Sequence, residues 1–187
     1  MDIEVIKWKS LGKYLTYKNK EIFYFQDGIG EDILIVHGYP FNSFEWKSTI
    51  NELSKMYRVT IFDLLGMGFS DKPKNHKYSF EEYCEITNLL MRELKITEAH
   101  LFSHDLGVSI VQELIAQERN NSFKIKSSAF MNGSLFIDVY KPRLIQKLLS
   151  KSPLFVGKFL SRVMTKKMVL NSVKSVFGPF TKPTDVF

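Results

Sequence analysis

Ala99-His100-Leu101-Phe102-Ser103-His104-Asp105-Leu106-Gly107 is the stretch that decides the fold. It reads as a short apolar strand, a sharp turn at Asp105, and a helix running to about Arg119. Ser103 and Gly107 are small, as a tight strand-to-helix turn demands. A strand, a turn with a reactive side chain at its tip, and a helix together form a nucleophile elbow, here with aspartate where serine is usual. Aspartate also caps helices. The elbow is preferred over simple capping because the flanking loops agree with it.

Toward the N-terminus, Ile33-Leu34-Ile35-Val36 is a continuous apolar run, the mark of a strand covered on both faces. It ends in His37-Gly38-Tyr39-Pro40. A helix is predicted over Phe44 to Met56, with Ser43 as its N-cap. Arg58 to Phe62 is a second buried strand, and the glycine-rich loop Asp63 to Pro73 follows it. Ser79, with Glu82 three residues on, has capping-box spacing and opens a helix to about Leu94. Lys13 to Tyr17 and Glu21 to Gln26 read as two strands, and Ile125 to Met131 as one more, closed by Asn132-Gly133.

Strands alternating with helices predict an α/β fold, a mainly parallel sheet with helices on both faces. Ligands of such sheets bind outside the carboxyl ends of the strands. The loops with chemical character follow Val36, Phe62, Phe102 and Met131, and all four are such ends.

The composition fits a globular domain: 187 residues, 44% hydrophobic and 25% charged. One cysteine, Cys84, excludes an internal disulfide and reads as a buried structural thiol in a helix. The start, Met1-Asp2-Ile3-Glu4, lacks the pattern of a secretory signal. No stretch reaches the ~18 uncharged apolar residues of a membrane span. These features predict a cytoplasmic location or a cytoplasm-facing membrane surface. The net charge of +6 is uneven: residues 139–184 hold ten Lys and Arg and no acid, which leaves the rest of the chain at −4. Basic amphipathic helices in that stretch suit peripheral contact with an anionic membrane. Nucleic acid is not expected, because no recognition motif accompanies the charge.

The combination His37-Gly38-Tyr39-Pro40, Asp63-x-x-Gly66-x-Gly68-x-Ser70-Asp71 and Ser103-His104-Asp105-Leu106-Gly107 resembles the α/β-hydrolase family. More narrowly, it is similar to the haloalkane dehalogenase and epoxide hydrolase branch, in which the nucleophile is aspartate. The runs Phe69-Ser70-Asp71-Lys72-Pro73 and Val176-Phe177-Gly178-Pro179 support the resemblance, which covers roughly residues 10 to 183. It implies that Asp105 attacks an electrophilic carbon of a small hydrophobic substrate and forms an aspartyl ester. The backbone N–H groups of Tyr39 and Leu106 would form the oxyanion hole, where losing one donor costs ~3–4 kcal/mol. His37, Gly38, Pro40, His104 and Gly107 would shape the site. No cofactor and no metal are called for.

The chain also departs from the family. The resemblance places the catalytic histidine near the C-terminus, yet all four histidines (His37, His76, His100, His104) precede Asp105. His37 reads as a structural hydrogen-bonder, and His76 and His100 as surface or strand-edge residues. His104, beside Asp105 on a sharp turn, should point elsewhere. The position matching the family's acid after the sixth strand is Asn132. The resemblance therefore implies an incomplete fold: residues 1–135 as the N-terminal part of the core, 136–187 as the beginning of a helical cap, and the last strands missing. Dehalogenases of this pattern carry Asn and Trp where this chain has Tyr39 and Leu106, so epoxide or related ester chemistry ranks above dehalogenation. Turnover would stall without the histidine. The alternative is a non-catalytic form that binds a membrane surface or partner through its basic helices.

Overall fold

The computed structural model describes residues 2–133, together with residues 163, 165 and 168. The chain divides into two units, Met1–Val139 and Tyr140–Phe187. The fold described is that of the first. The helical cap expected over 136–187 and its basic stretch lie outside the described residues, the three isolated positions aside.

Six strands form one sheet: β1 (Lys13–Tyr17), β2 (Lys20–Asp27), β3 (Glu31–Val36), β4 (Tyr57–Phe62), β5 (Glu98–His104) and β6 (Lys124–Met131). Their order is β1-β2-β4-β3-β5-β6. β1 and β2 pair antiparallel, as do β2 and β4. β4, β3, β5 and β6 run parallel. Among residues 2–133, four α-helices pack on this sheet: α1 (Ile3–Leu11), α2 (Lys47–Leu53), α3 (Phe80–Glu93) and α4 (Leu106–Ala116).

The Ile33–Val36 run is apolar throughout because β3 lies inside the sheet with both faces covered. Leu34 and Val36 join one core with Leu90 of α3 and Ile110 of α4. Ile35 joins the other core with Trp8 of α1 and Ile50 of α2. The period of two along the strand sends successive side chains to opposite cores. Among the described residues, no helix is long and apolar enough to cross a membrane.

Three details differ from the sequence expectations. α1 was not expected, because its apolar Ile3, Ile6 and Leu11 are exposed and only Trp8 is buried. Asp2 caps it by accepting from Glu4 N. The helix predicted over Phe44 to Met56 is a 3-10 turn, Ser43–Trp46, followed by α2. Its cap is Asn42, which accepts from Phe44 N, and not Ser43. Ser43 is pulled inward, where its N–H donates to Asp63 Oδ1 and its hydroxyl accepts from Trp8 Nε1. His100 lies on the interior strand β5 and bonds Ser127 Oγ, so it is not a strand-edge residue.

Candidate active site

The site is set by register. Val36 at the end of β3 pairs with Ser103 near the end of β5, so the chain leaves both strands at one level. The loop from His37 and the turn at Asp105 then rise side by side. Asp105 takes φ 51 and ψ −116, a left-handed conformation uncommon outside glycine. It is held there by its N–H, which donates to Met131 O at 3.0 Å, and by its carbonyl, which accepts from Val108 N at 3.1 Å.

The carboxylate is gripped on one side. Oδ1 accepts from Leu106 N at 2.6 Å and from Tyr39 N at 2.9 Å. Among the described residues Oδ2 accepts no hydrogen bond. Asp105 is thus both the N-cap of α4 and the tip of an elbow, two roles that the sequence set against each other. The positive end of the α4 dipole lies beneath it.

Two glycines allow this approach. A Cβ on Gly38 would sit 2.4 Å from Asp105 Cβ and 2.8 Å from Oδ1. A Cβ on Gly107 would sit 2.2 Å from Val36 O. Any side chain at Gly38 would push the carboxylate out of its hydrogen bonds. One at Gly107 would lift α4 off β3. Pro40 follows Tyr39 through a cis peptide bond.

His37 is fully buried and both ring nitrogens are engaged. Nδ1–H donates to Gly38 O at 2.9 Å, and Nε2 accepts from Leu64 N at 3.0 Å. Burial holds the imidazole below its ordinary pKa, against the opposing pull of Asp63. The unfolded chain takes up a proton near pH ~6.5 that the folded imidazole resists. His37 therefore adds stability above that pH and loses it as the pH falls below. Glu45 acts in the opposite sense. Desolvation of its carboxyl, with the charge of Asp105 adding to it and a hydrogen bond from Trp46 Nε1 opposing it, pushes its pKa up to about 7. The fall in melting temperature between pH 7.5 and 5.5 should accordingly be smaller in His37→Gln than in the parent chain. An equal fall in both would refute the assignment.

The other histidines contact groups other than the carboxylate. His104 meets the Trp46 ring edge-on, with centroids 6.1 Å apart, and its Nδ1 is buried without a hydrogen-bond partner. His76 pairs with Glu82 at 2.6 Å and is partly buried. Beneath the site, Asp63 is fully buried and links two loops, accepting from Ser43 N at 2.7 Å and from Phe69 N at 2.6 Å. The sequence marked Asp63 as the start of the glycine-rich loop and its motif, but not as a buried link between loops. Glu45 was not singled out either, and nothing in its local pattern would have done so. Among the described residues, no three His, Cys, Asp or Glu side chains gather as a metal-binding group.

Residues 33–161 match the family model described as alpha/beta hydrolase fold. The chain belongs to the α/β-hydrolase family. It is 38% identical to the mesoderm-specific transcript protein of Mus musculus, over 95% of this chain and 56% of that protein. It is 30% identical to the putative hydrolase LipZ of Mycobacterium tuberculosis, over 94% of this chain and 60% of that one. The chain thus spans little more than half the length of these two relatives. Its fold is similar to the crystal structure of the haloalkane dehalogenase DatA from Agrobacterium tumefaciens C58, with a TM-score of 0.74, 19% identity, and coverage of 94% of this chain and 60% of that one.

Proposed function

We propose that this chain carries the nucleophile-bearing part of an epoxide-hydrolase-like reaction, with Asp105 as the nucleophile. The observation that supports this reading is the one-sided grip on the carboxylate. Two main-chain N–H groups converge on Oδ1, and Oδ2 accepts nothing from the described residues. Oδ2 attacks a carbon of the epoxide, the C–O bond of the ring breaks, and the released oxygen takes a proton from solvent water, which leaves as hydroxide. The product is a hydroxyalkyl ester of Asp105.

In the second half, water adds to the ester carbonyl and negative charge develops on Oδ1. The N–H groups of Tyr39 and Leu106 already point at that atom, as preorganised stabilisation requires. Cleavage of the ester then releases a diol and restores the carboxylate. This half needs a base for the proton of water. His37 has both nitrogens engaged, His76 is paired with Glu82, His100 with Ser127, and His104 lies against Trp46. The 187-residue chain should therefore stop at the ester. Leu106 offers no side-chain donor for a departing halide, which favours an epoxide over a haloalkane.

Incubation with a small aliphatic epoxide should add one equivalent of mass, read by intact-protein mass spectrometry and mapped to Asp105. Cys84 is the competing nucleophile, but burial pushes its thiol up to about 12 and it faces Ile110 O at 3.7 Å. The adduct should form unchanged in Cys84→Ala and vanish in Asp105→Ala. No adduct in the parent chain, or one that survives Asp105→Ala, would sink the proposal.

A further inference from the structure

We infer that the cleft beside the elbow, on its α3 side, receives a neutral, flat aromatic group of the substrate, and that Tyr78 is the residue that selects it. The cleft holds about 470 Å³, and its lining includes Tyr39, Leu106, Met67, Tyr78, Phe80 and Tyr83. That volume is of the size that takes a small ligand. Tyr39 and Leu106 are also the residues whose N–H groups hold Asp105. A group lodged in this cleft therefore lies against the two residues that hold the carboxylate, although Asp105 itself is not among the lining residues.

Tyr78 is presented to the cleft by its neighbours. Its ring runs parallel to that of Tyr83, with centroids 6.5 Å apart and 7° between planes. It meets His76 edge-on at 4.8 Å, and His76 is fixed in turn by Glu82. Gly66 lies beneath the ring, and a Cβ there would come within 2.8 Å of it. With so many neighbours the ring has little room to swing, yet Tyr78 remains 44% exposed. A held ring with an open face favours a second ring in offset or edge-on contact. The Tyr83 hydroxyl is spent on Leu65 O. Among the described residues, Glu81 is the one carboxylic acid in the lining, and no Lys, Arg or His lines it. The described lining thus offers no counter-charge to an anionic ligand.

The inference rests on the Asp105 reading for the reacting group, but not for binding. Its test uses the 187-residue chain and unreactive ligands, followed by titration in NMR spectra. The chain should bind 2-phenylethanol, and bind 1-hexanol and phenylacetate at least several-fold more weakly. Tyr78→Leu, which keeps apolar bulk and loses the ring, should weaken 2-phenylethanol about tenfold. Tyr78→Phe should stay within about threefold, and thermal melts of both variants exclude unfolding as the cause. No binding at millimolar 2-phenylethanol, equal binding of 1-hexanol, or an unchanged affinity in Tyr78→Leu would each overturn the inference. Failure of the two proposals is separable. Aryl alcohol binding without an epoxide adduct refutes the Asp105 chemistry alone. An adduct from the small aliphatic epoxide without aryl alcohol binding refutes the cleft assignment alone.

Discussion

Asp105→Gly is expected to abolish ester formation and to leave the chain more stable than before, by about 0.5–2 kcal/mol. The argument is a competition between two local terms. Asp105 sits at φ 51 and ψ −116, a conformation that costs a residue with a Cβ roughly 1–3 kcal/mol and costs glycine little. Against that relief stands the lost cap on α4. Glycine replaces a polar N-cap at a cost of only a few tenths of a kcal/mol. The N–H of Tyr39 also loses its acceptor, but Tyr39 is 67% exposed and water can take that place. The strain term wins, so the turn at Asp105 trades stability for the position of a carboxylate. Denaturant titration beside mass spectrometry checks both halves. A variant clearly less stable than the parent chain would show that the turn is not strained.

Asp63→Ala is expected to have the largest effect on folding, a loss of roughly 3–5 kcal/mol. Asp63 is fully buried, and its two oxygens serve separate loops through Ser43 N and Phe69 N. Removing the carboxylate leaves two inward-facing donors without acceptors, at ~1–3 kcal/mol each. Such a loss is a large fraction of the 5–15 kcal/mol that is typical of a whole domain. Asp63→Asn keeps one acceptor oxygen and should lose about half as much. Urea midpoints at constant slope report the change. A loss below about 1 kcal/mol in Asp63→Ala would mean that water replaces the carboxylate.

Much of the architecture was legible because its signals are local. The unbroken apolar run Ile33–Val36 can only be an interior strand, and it is one. Ser79 does cap α3, accepting from Glu82 N at 3.2 Å. The expected capping box is nonetheless only half formed, because the Glu82 carboxylate goes to His76. The elbow was legible too, since small residues around a polar tip leave few other conformations. What stayed hidden is held by contacts distant in sequence. Ser43 looked like a cap, but it is drawn to Asp63, twenty residues away. α1 has no apolar period and is held by a single buried tryptophan. Tyr78 looks like an ordinary loop residue until the ring of Tyr83 is set beside it.

Both donors to Oδ1 are main-chain groups, and this divides the labour at positions 39 and 106. Their backbones serve the carboxylate while their side chains line the cleft. Any residue other than proline supplies the same N–H. Substrate preference can therefore be rewritten at these two positions, by drift or by directed evolution, with the anion-holding apparatus inherited intact.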